Sequence, residues 1–136
     1  PLRSKQFVTK KIVDTALKIK RQKSLKLELG NVDIIRDWGW APDYVRAMWL
    51  MMQRSKPRDF IIGSGKTYSL KEFVDKVFRY LKISKKNLKT NVSKYKRKID
   101  LRGYKANIAE TQKVLKWKPS VKFDTIIYKM INNELF

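Results

Sequence analysis

The run R-D-W-G-W-A-P-D-Y-V-R-A-M-W at residues 36–49 constrains this chain more than any other segment. Residues 34–38 read as a short extended piece, and Gly39 reads as a turn. Pro42 then suits the first turn of a helix, where its missing N–H breaks no intrahelical bond. Asp43 falls where the unsatisfied amides of a helix start favour an anion. The helix predicted over 43–54 carries Val45, Met48, Trp49 and Met52, an apolar load that predicts a largely buried element. An extended piece feeding a buried helix in this way belongs to a layered fold.

The flanking sequence repeats the alternation. Residues 7–19 have helical period, with Val8, Ile12, Ala16 and Ile19 on one face and Lys10, Lys11 and Lys18 towards the other. Leu25, Leu27 and Leu29 alternate with Lys26 and Glu28, the period of a half-buried strand that Gly30-Asn31 closes as a turn. Phe60-Ile61-Ile62, between Pro57 and Gly63, reads as an apolar strand suited to the interior of a parallel sheet. Ser69-Leu70-Lys71-Glu72 is a capping box opening a helix with Phe73, Val74, Val77, Phe78 and Leu81 inward. A weaker box at Asn107 leads to Val114 and Leu115, and Pro119 forbids that helix from continuing. Residues 123–136 read as a last helix. The polar, lysine-rich segment 84–105 lacks strong period and holds at most one strand, near 88–92. Strands alternating with helices give the class α/β.

Composition excludes several chemistries. The chain has no Cys and no His, which removes disulfides, thiol nucleophiles, imidazole acid–base catalysis and the usual zinc sites. No apolar run approaches the ~20 residues that cross a bilayer, so no membrane role is expected and a cytoplasmic location is the default. The net charge of +21 invites a nucleic-acid reading. Most of the cations, however, are lysines set between apolar residues, as on a solvated helix face, rather than clustered arginine forks. A phosphate-bearing small ligand would account for part of the charge.

Few motifs carry chemistry. Gly63-Ser64-Gly65-Lys66-Thr67 looks like the tail of a phosphate-binding loop, but the spacing requires glycine where Phe60 stands. No dinucleotide fingerprint is present. None of the six tyrosines has a lysine four residues later, so the tyrosine–lysine pair in which an ammonium lowers a phenol pKa is absent. Asp33, Asp37 and Asp43 read as caps and surface ion pairs. Arg36-Asp37 admits two readings: an arginine fork for a phosphate, or an ion pair pinning the loop. The tryptophans read as core.

Five pieces in order resemble the GDP-mannose 4,6-dehydratase family of the extended short-chain dehydrogenase/reductases. They are the F-V-T-K-K-I run at 7–12, Leu29-Gly30-Asn31, residues 36–50, Asp59-Phe60 with 69–74, and the L-K-W-K-P run at 115–119. The resemblance implies that residues 1–136 form the C-terminal, nucleotide-sugar-binding region only. The N-terminal Rossmann domain, carrying the catalytic residues and NADP, would lie upstream. The 60–62 strand would then join a sheet it cannot reach here, leaving an exposed edge prone to self-association. By position, Thr9, Lys11, Gly30 and Asn31 match ligand-proximal residues of the family. Arg36 and Arg97 match arginines that grip the diphosphate, Asp100 stands for a ribose-binding glutamate, and Arg3 matches a loop residue reaching the cofactor. The chain departs from the family pattern at Trp40, Pro42 and the Arg97-Lys98-Ile99-Asp100 run.

The function implied is the substrate-binding part of an NADP-dependent lyase acting on GDP-mannose or a related nucleotide sugar, a homo-oligomer when full length. The hydride taken from the sugar C4 would return to C6 after water leaves across C5 and C6. Alternatives are a related nucleotide-sugar epimerase or reductase and, from a different class, a basic nucleic-acid-binding module.

Overall fold

The computed structural model describes residues 4–95 and 103–134. The first helix, α1 (Val8–Arg21), buries Ile12, Val13, Ala16 and Ile19 and places Lys18, Lys20 and Arg21 in its last turn, where cations complement the exposed carbonyls. The leucine alternation survives as β1 (Leu27–Glu28), with Leu27 and Leu29 buried and Lys26 exposed. β2 (Ile35–Asp37) leads through Gly39 into α2 (Ala41–Met52), with Pro42 in its first turn as expected. β3 (Thr67–Ser69) pairs antiparallel with β2, Arg36 opposite Tyr68. α3 (Leu70–Leu81) follows at once. Its capping box is fully formed: Ser69 Oγ accepts from the Glu72 N–H at 3.1 Å, and the Glu72 carboxylate accepts from the Ser69 N–H at 2.6 Å. β4 (Leu88–Lys89) pairs parallel with β1, Leu27 opposite Leu88. α4 (Ala109–Leu115) and α5 (Phe123–Asn132) complete the order.

α1, α3 and α5 pack on one another around the main core. Ile12, Val13 and Ala16 meet Phe73, Val74 and Val77 from α3 and Phe123, Ile127 and Met130 from α5. Phe123 stacks on Tyr68 with ring centroids 4.0 Å apart, tying α5 to the end of β3. A smaller core joins α2 to α4 through Ala47, Leu115 and Trp117, with Tyr44, Phe60 and Ile62 packed against it.

Asp43 links the two regions. It is buried, and its carboxylate accepts from the Ser120 N–H (2.9 Å), the Ser120 hydroxyl (2.6 Å) and the Val121 N–H (3.1 Å). The main-chain carbonyl of the same residue accepts from Trp117 Nε1 at 3.0 Å. The residue read from sequence as a cap or surface ion-pair partner thus fixes the approach to α5 against the start of α2.

Three expectations are corrected. α2 is not largely buried: Val45, Met48, Trp49 and Met52 are 62%, 53%, 59% and 82% exposed. Only Asp43 and Ala47 of that helix are buried, because α4 covers one side and nothing described covers the other. Trp49 is accordingly not core, whereas Trp40 and Trp117 are. Phe60-Ile61-Ile62 forms no strand among the described residues, since no neighbouring strand offers it a ladder. Conversely, β3 was hidden from the sequence reading by the capping box that follows it. No described helix is long and apolar enough to cross a membrane.

Replacing Asp43 by Ala leaves buried donors of Ser120 and Val121 without an acceptor, and the expected loss is about 3 kcal/mol of unfolding free energy in urea titration. Asp43→Asn keeps one acceptor and is expected to lose less. An unchanged midpoint for Asp43→Ala would refute this role.

Candidate functional site

A cavity of about 540 Å³ opens where the first turn of α1, the end of β1 and the start of α3 meet. Its wall takes Phe7 and Lys11 from the first turn of α1, Leu29, Gly30 and Asn31 from the turn after β1, and Tyr95 from a one-turn 3-10 segment, Ser93–Tyr95. Three residues singled out from sequence, Lys11, Gly30 and Asn31, thus come together in one place although up to twenty residues separate them.

The local backbone shows how. The β1–β4 ladder runs on past its ends, with the Val92 N–H donating to the Leu29 carbonyl (3.1 Å) and the Asn91 N–H to the Gly30 carbonyl (3.0 Å). This zips the 91–95 segment onto the turn. At Gly30 a Cβ would lie 2.6 Å from the Tyr95 carbonyl oxygen, so glycine is required there for close approach rather than for an unusual φ. Asn31 Oδ1 accepts from the Asp33 N–H at 2.9 Å, a local turn that sets the exit of the chain.

Charge is concentrated on this rim. Lys11 Nζ donates to the Glu28 carbonyl at 2.8 Å and sits 3.6 Å above the centroid of the Tyr95 ring. Glu28 forms ion pairs with Lys94 (2.7 Å) and Lys89 (3.5 Å), and Lys94 above all holds its carboxyl below the usual range. The Tyr95 hydroxyl is also held below its ordinary pKa, chiefly by Lys11, against the opposing effect of desolvation. A largely apolar pocket with one cation, Lys11, among its described lining residues suits a ligand that carries both an anion and an apolar group.

The other sequence-named residues separate from this set. Thr9 is buried in α1 and does not line the cavity. Arg36 lies half-buried on β2, outside the lining, and its Nη1 donates to the Ile35 carbonyl at 2.7 Å. Asp37 pins a turn through main-chain amides: its carboxylate accepts from the N–H groups of Ser64 (2.8 Å) and Gly65 (2.9 Å). The turn that looks like a phosphate loop therefore has those amides already engaged by a carboxylate, so it offers no cradle for a phosphate. Arg3, Arg97 and Asp100 lie outside the described residues.

Among the described residues no acid–base centre emerges beside the cavity. Tyr44, whose hydroxyl packs where a Cβ on Gly39 would stand, is pushed up to about 12 by burial, with Asp37 and Asp43 adding to the effect. Its phenol is therefore no base near neutral pH. Among the described residues no group of three metal-ligating side chains converges. Tyr95 is the site residue that sequence reasoning missed. It sits in the lysine-rich segment without periodicity, and an aromatic flanked by Lys94 and Lys96 was the available signal.

The sequence matches the family model for GDP-mannose 4,6 dehydratase over residues 1–130. GDP-mannose 4,6 dehydratase 1 of Arabidopsis thaliana is 36% identical over 135 residues, covering 99% of this chain and 37% of the relative. GDP-mannose 4,6 dehydratase of Homo sapiens is 34% identical over 152 residues, covering 99% of this chain and 41% of the relative. This chain thus spans well under half the length of these relatives. Among solved structures, RMD from Pseudomonas aeruginosa complexed with NADPH superposes with a TM-score of 0.85 at 15% identity, over 99% of this chain and 44% of that one. At that identity the likeness shows the fold alone, an α/β arrangement shared with part of that chain.

Gly30→Ala is expected to push the 93–95 turn off the cavity rim and to cost about 1–3 kcal/mol through overpacking against main chain. Denaturation of the variant measures the cost, and an unshifted Tyr95 amide resonance would contradict the displacement. Glu28 supplies a pH signature. A carboxyl with depressed pKa contributes stability above its unfolded pKa and loses it as pH falls through the lower, folded value. The expected readout is faster amide hydrogen exchange at Lys94 and Tyr95 in that acid window, abolished in Glu28→Gln.

Proposed function

This chain belongs to the GDP-mannose 4,6 dehydratase family, and on that premise we propose that residues 1–136 are the nucleotide-sugar-binding, C-terminal region of an NADP-dependent lyase that converts GDP-mannose to its 4-keto-6-deoxy product. The single observation that carries the proposal is the convergence of Lys11, Gly30 and Asn31 on one open cavity. Lys11 supplies a fixed cation for the diphosphate, and Asn31 with the Gly30 turn gives the nucleoside a polar edge. Thr9, buried in α1 outside the lining, is assigned to the site from sequence position alone. Arg36, Arg97 and the carboxylate of Asp100 are assigned to the diphosphate and ribose, all three from sequence position alone. Two phosphates want fixed cations, and ribose hydroxyls want a carboxylate.

The region's part in the reaction is to bind and orient, which accelerates a reaction by removing misaligned encounters. The chemistry supplied by a bound NADP would be reversible acceptance of a hydride from the sugar. The glycine turn at 63–65, which resembles the tail of a phosphate loop, gives its Ser64 and Gly65 amides to Asp37 instead. NADP is therefore assigned to an N-terminal Rossmann domain, with Arg3 as this region's contact to it. The catalytic residues belong to that domain as well. The exposed apolar side of α2, Val45, Met48, Trp49 and Met52, is assigned to contact with it, because a domain core cut in half presents this kind of surface. The complete enzyme is proposed to act in the cytoplasm as a homo-oligomer.

Isothermal titration of the chain with GDP tests the reading. Binding is expected, with guanosine much weaker for want of phosphates, and Lys11→Met is expected to weaken GDP about tenfold, roughly 1.4 kcal/mol. Binding of RNA with a steep salt dependence and no response to GDP would replace the reading with a nucleic-acid module. Full-length protein that bound no nucleotide sugar would overturn it outright.

A further inference from the structure

We propose that Tyr95 is a positioning residue of the cavity, whose ring face holds the Lys11 ammonium in place to meet the ligand's diphosphate. The inference rests on the reading of the cavity as a nucleotide-diphosphate site. Lys11 Nζ lies 3.6 Å from the Tyr95 ring centroid, well inside the ~6 Å within which a ring attracts a cation. The same nitrogen donates to the Glu28 carbonyl at 2.8 Å, so two anchors from different elements fix it.

The kind of anchor matters. A carboxylate would hold the lysine and also neutralise it. A ring face and a carbonyl hold it and leave the net charge in place. Among the described residues Lys11 forms no ion pair, whereas its neighbours are spoken for: Lys10 pairs with Asp14, and Lys89 and Lys94 with Glu28. An ammonium has three donors, and only one is spent on Glu28. Lys11 is thus the cation of the rim that is fixed yet still charged. Fixing it in advance removes rotamer freedom that binding would otherwise have to remove.

Tyr95 is itself held. Its N–H donates to the Val92 carbonyl at 2.9 Å, and its main chain rests against Gly30, which has no Cβ to keep it away. Lys94, 4.9 Å from the same ring, is tied to Glu28 and leaves the cavity side of the ring to Lys11.

A double-mutant cycle on GDP affinity decides the matter. Tyr95→Leu is expected to weaken GDP about threefold or more, Lys11→Met about tenfold, and the double variant no more than Lys11→Met alone. Tyr95→Phe, which keeps the ring, is expected to stay within about twofold of the unchanged chain. Circular dichroism checks folding, with Tyr95→Met as substitute if Tyr95→Leu does not fold. In the unchanged chain, the Lys11 Cε protons are expected upfield of ordinary lysine values because of the ring. Normal Cε shifts, additive losses in the cycle, or a Tyr95→Phe loss equal to that of Tyr95→Leu would each overturn the inference while leaving the nucleotide reading intact. No GDP binding by the unchanged chain would overturn both.

Discussion

A single buried carboxylate ties the start of α2 to the approach to α5. Asp43 begins α2 and accepts three hydrogen bonds from Ser120 and Val121, just ahead of α5. α5 belongs to the main core with α1 and α3, while the body of α2 packs on α4 in the smaller one. Within the smaller core the Trp117 indole adds a bond to the Asp43 main-chain carbonyl, and Trp40, the residue before α2, is itself buried in the main core. A buried charge is tolerated only with such complete satisfaction, and no buried side-chain polar atom among the described residues is left unpartnered. The anion also sits in the first turn of α2, where helix amides favour it. The helix start and the strap to the 120–121 segment are one residue because both needs are met by the same carboxylate.

The cavity depends on a second, smaller set of constraints of the same kind. Parallel pairing of β1 with β4 brings a lysine-rich segment beside the Gly30 turn, and the missing Cβ of Gly30 lets Tyr95 close against it. The basic segment would repel itself there, but Glu28 sits opposite Lys89 in register and also takes Lys94. One acidic residue therefore lowers the charge cost of building the rim and leaves Lys11 unneutralised. Asp37 performs a parallel task behind β2, where it organises the 63–65 turn.

Much of this was legible in the sequence because it is local. The period of α1, the box at Ser69, Pro42 in the first turn of α2 and the stop before Pro119 depend on neighbours a few residues away, and each appears in the structure. What could not be read is set by distant partners. The burial of Asp43 depends on Ser120, seventy-seven positions later. Tyr95 joins the site through a ladder that no periodicity announces. Phe60-Ile61-Ile62 looked like a strand because apolar side chains are a property of the segment, whereas a ladder is a property of its neighbours. Two of its side chains, Phe60 and Ile62, still pack on the smaller core, so the hydrophobic signal was sound and only the hydrogen-bonding inference failed.

The same distinction explains α2, which reads as a core helix and is exposed on its apolar side. Its sequence records where the helix is meant to be buried, and the fold of this chain meets that requirement only at Asp43 and Ala47. A lone exposed leucine needs no explanation, but Val45, Met48, Trp49 and Met52 recur at helical spacing, so they form one stripe. The stripe lies on the helix that Asp43 anchors and not on the wall of the cavity. Ligand binding and the apolar contact are thus carried by different elements. α1, the Gly30 turn and Tyr95 form the first, and α2 the second, with β2 and its Asp37 clasp between the Gly30 turn and α2 in sequence. A ligand in the cavity can therefore be recognised by residues whose positions do not depend on what covers α2.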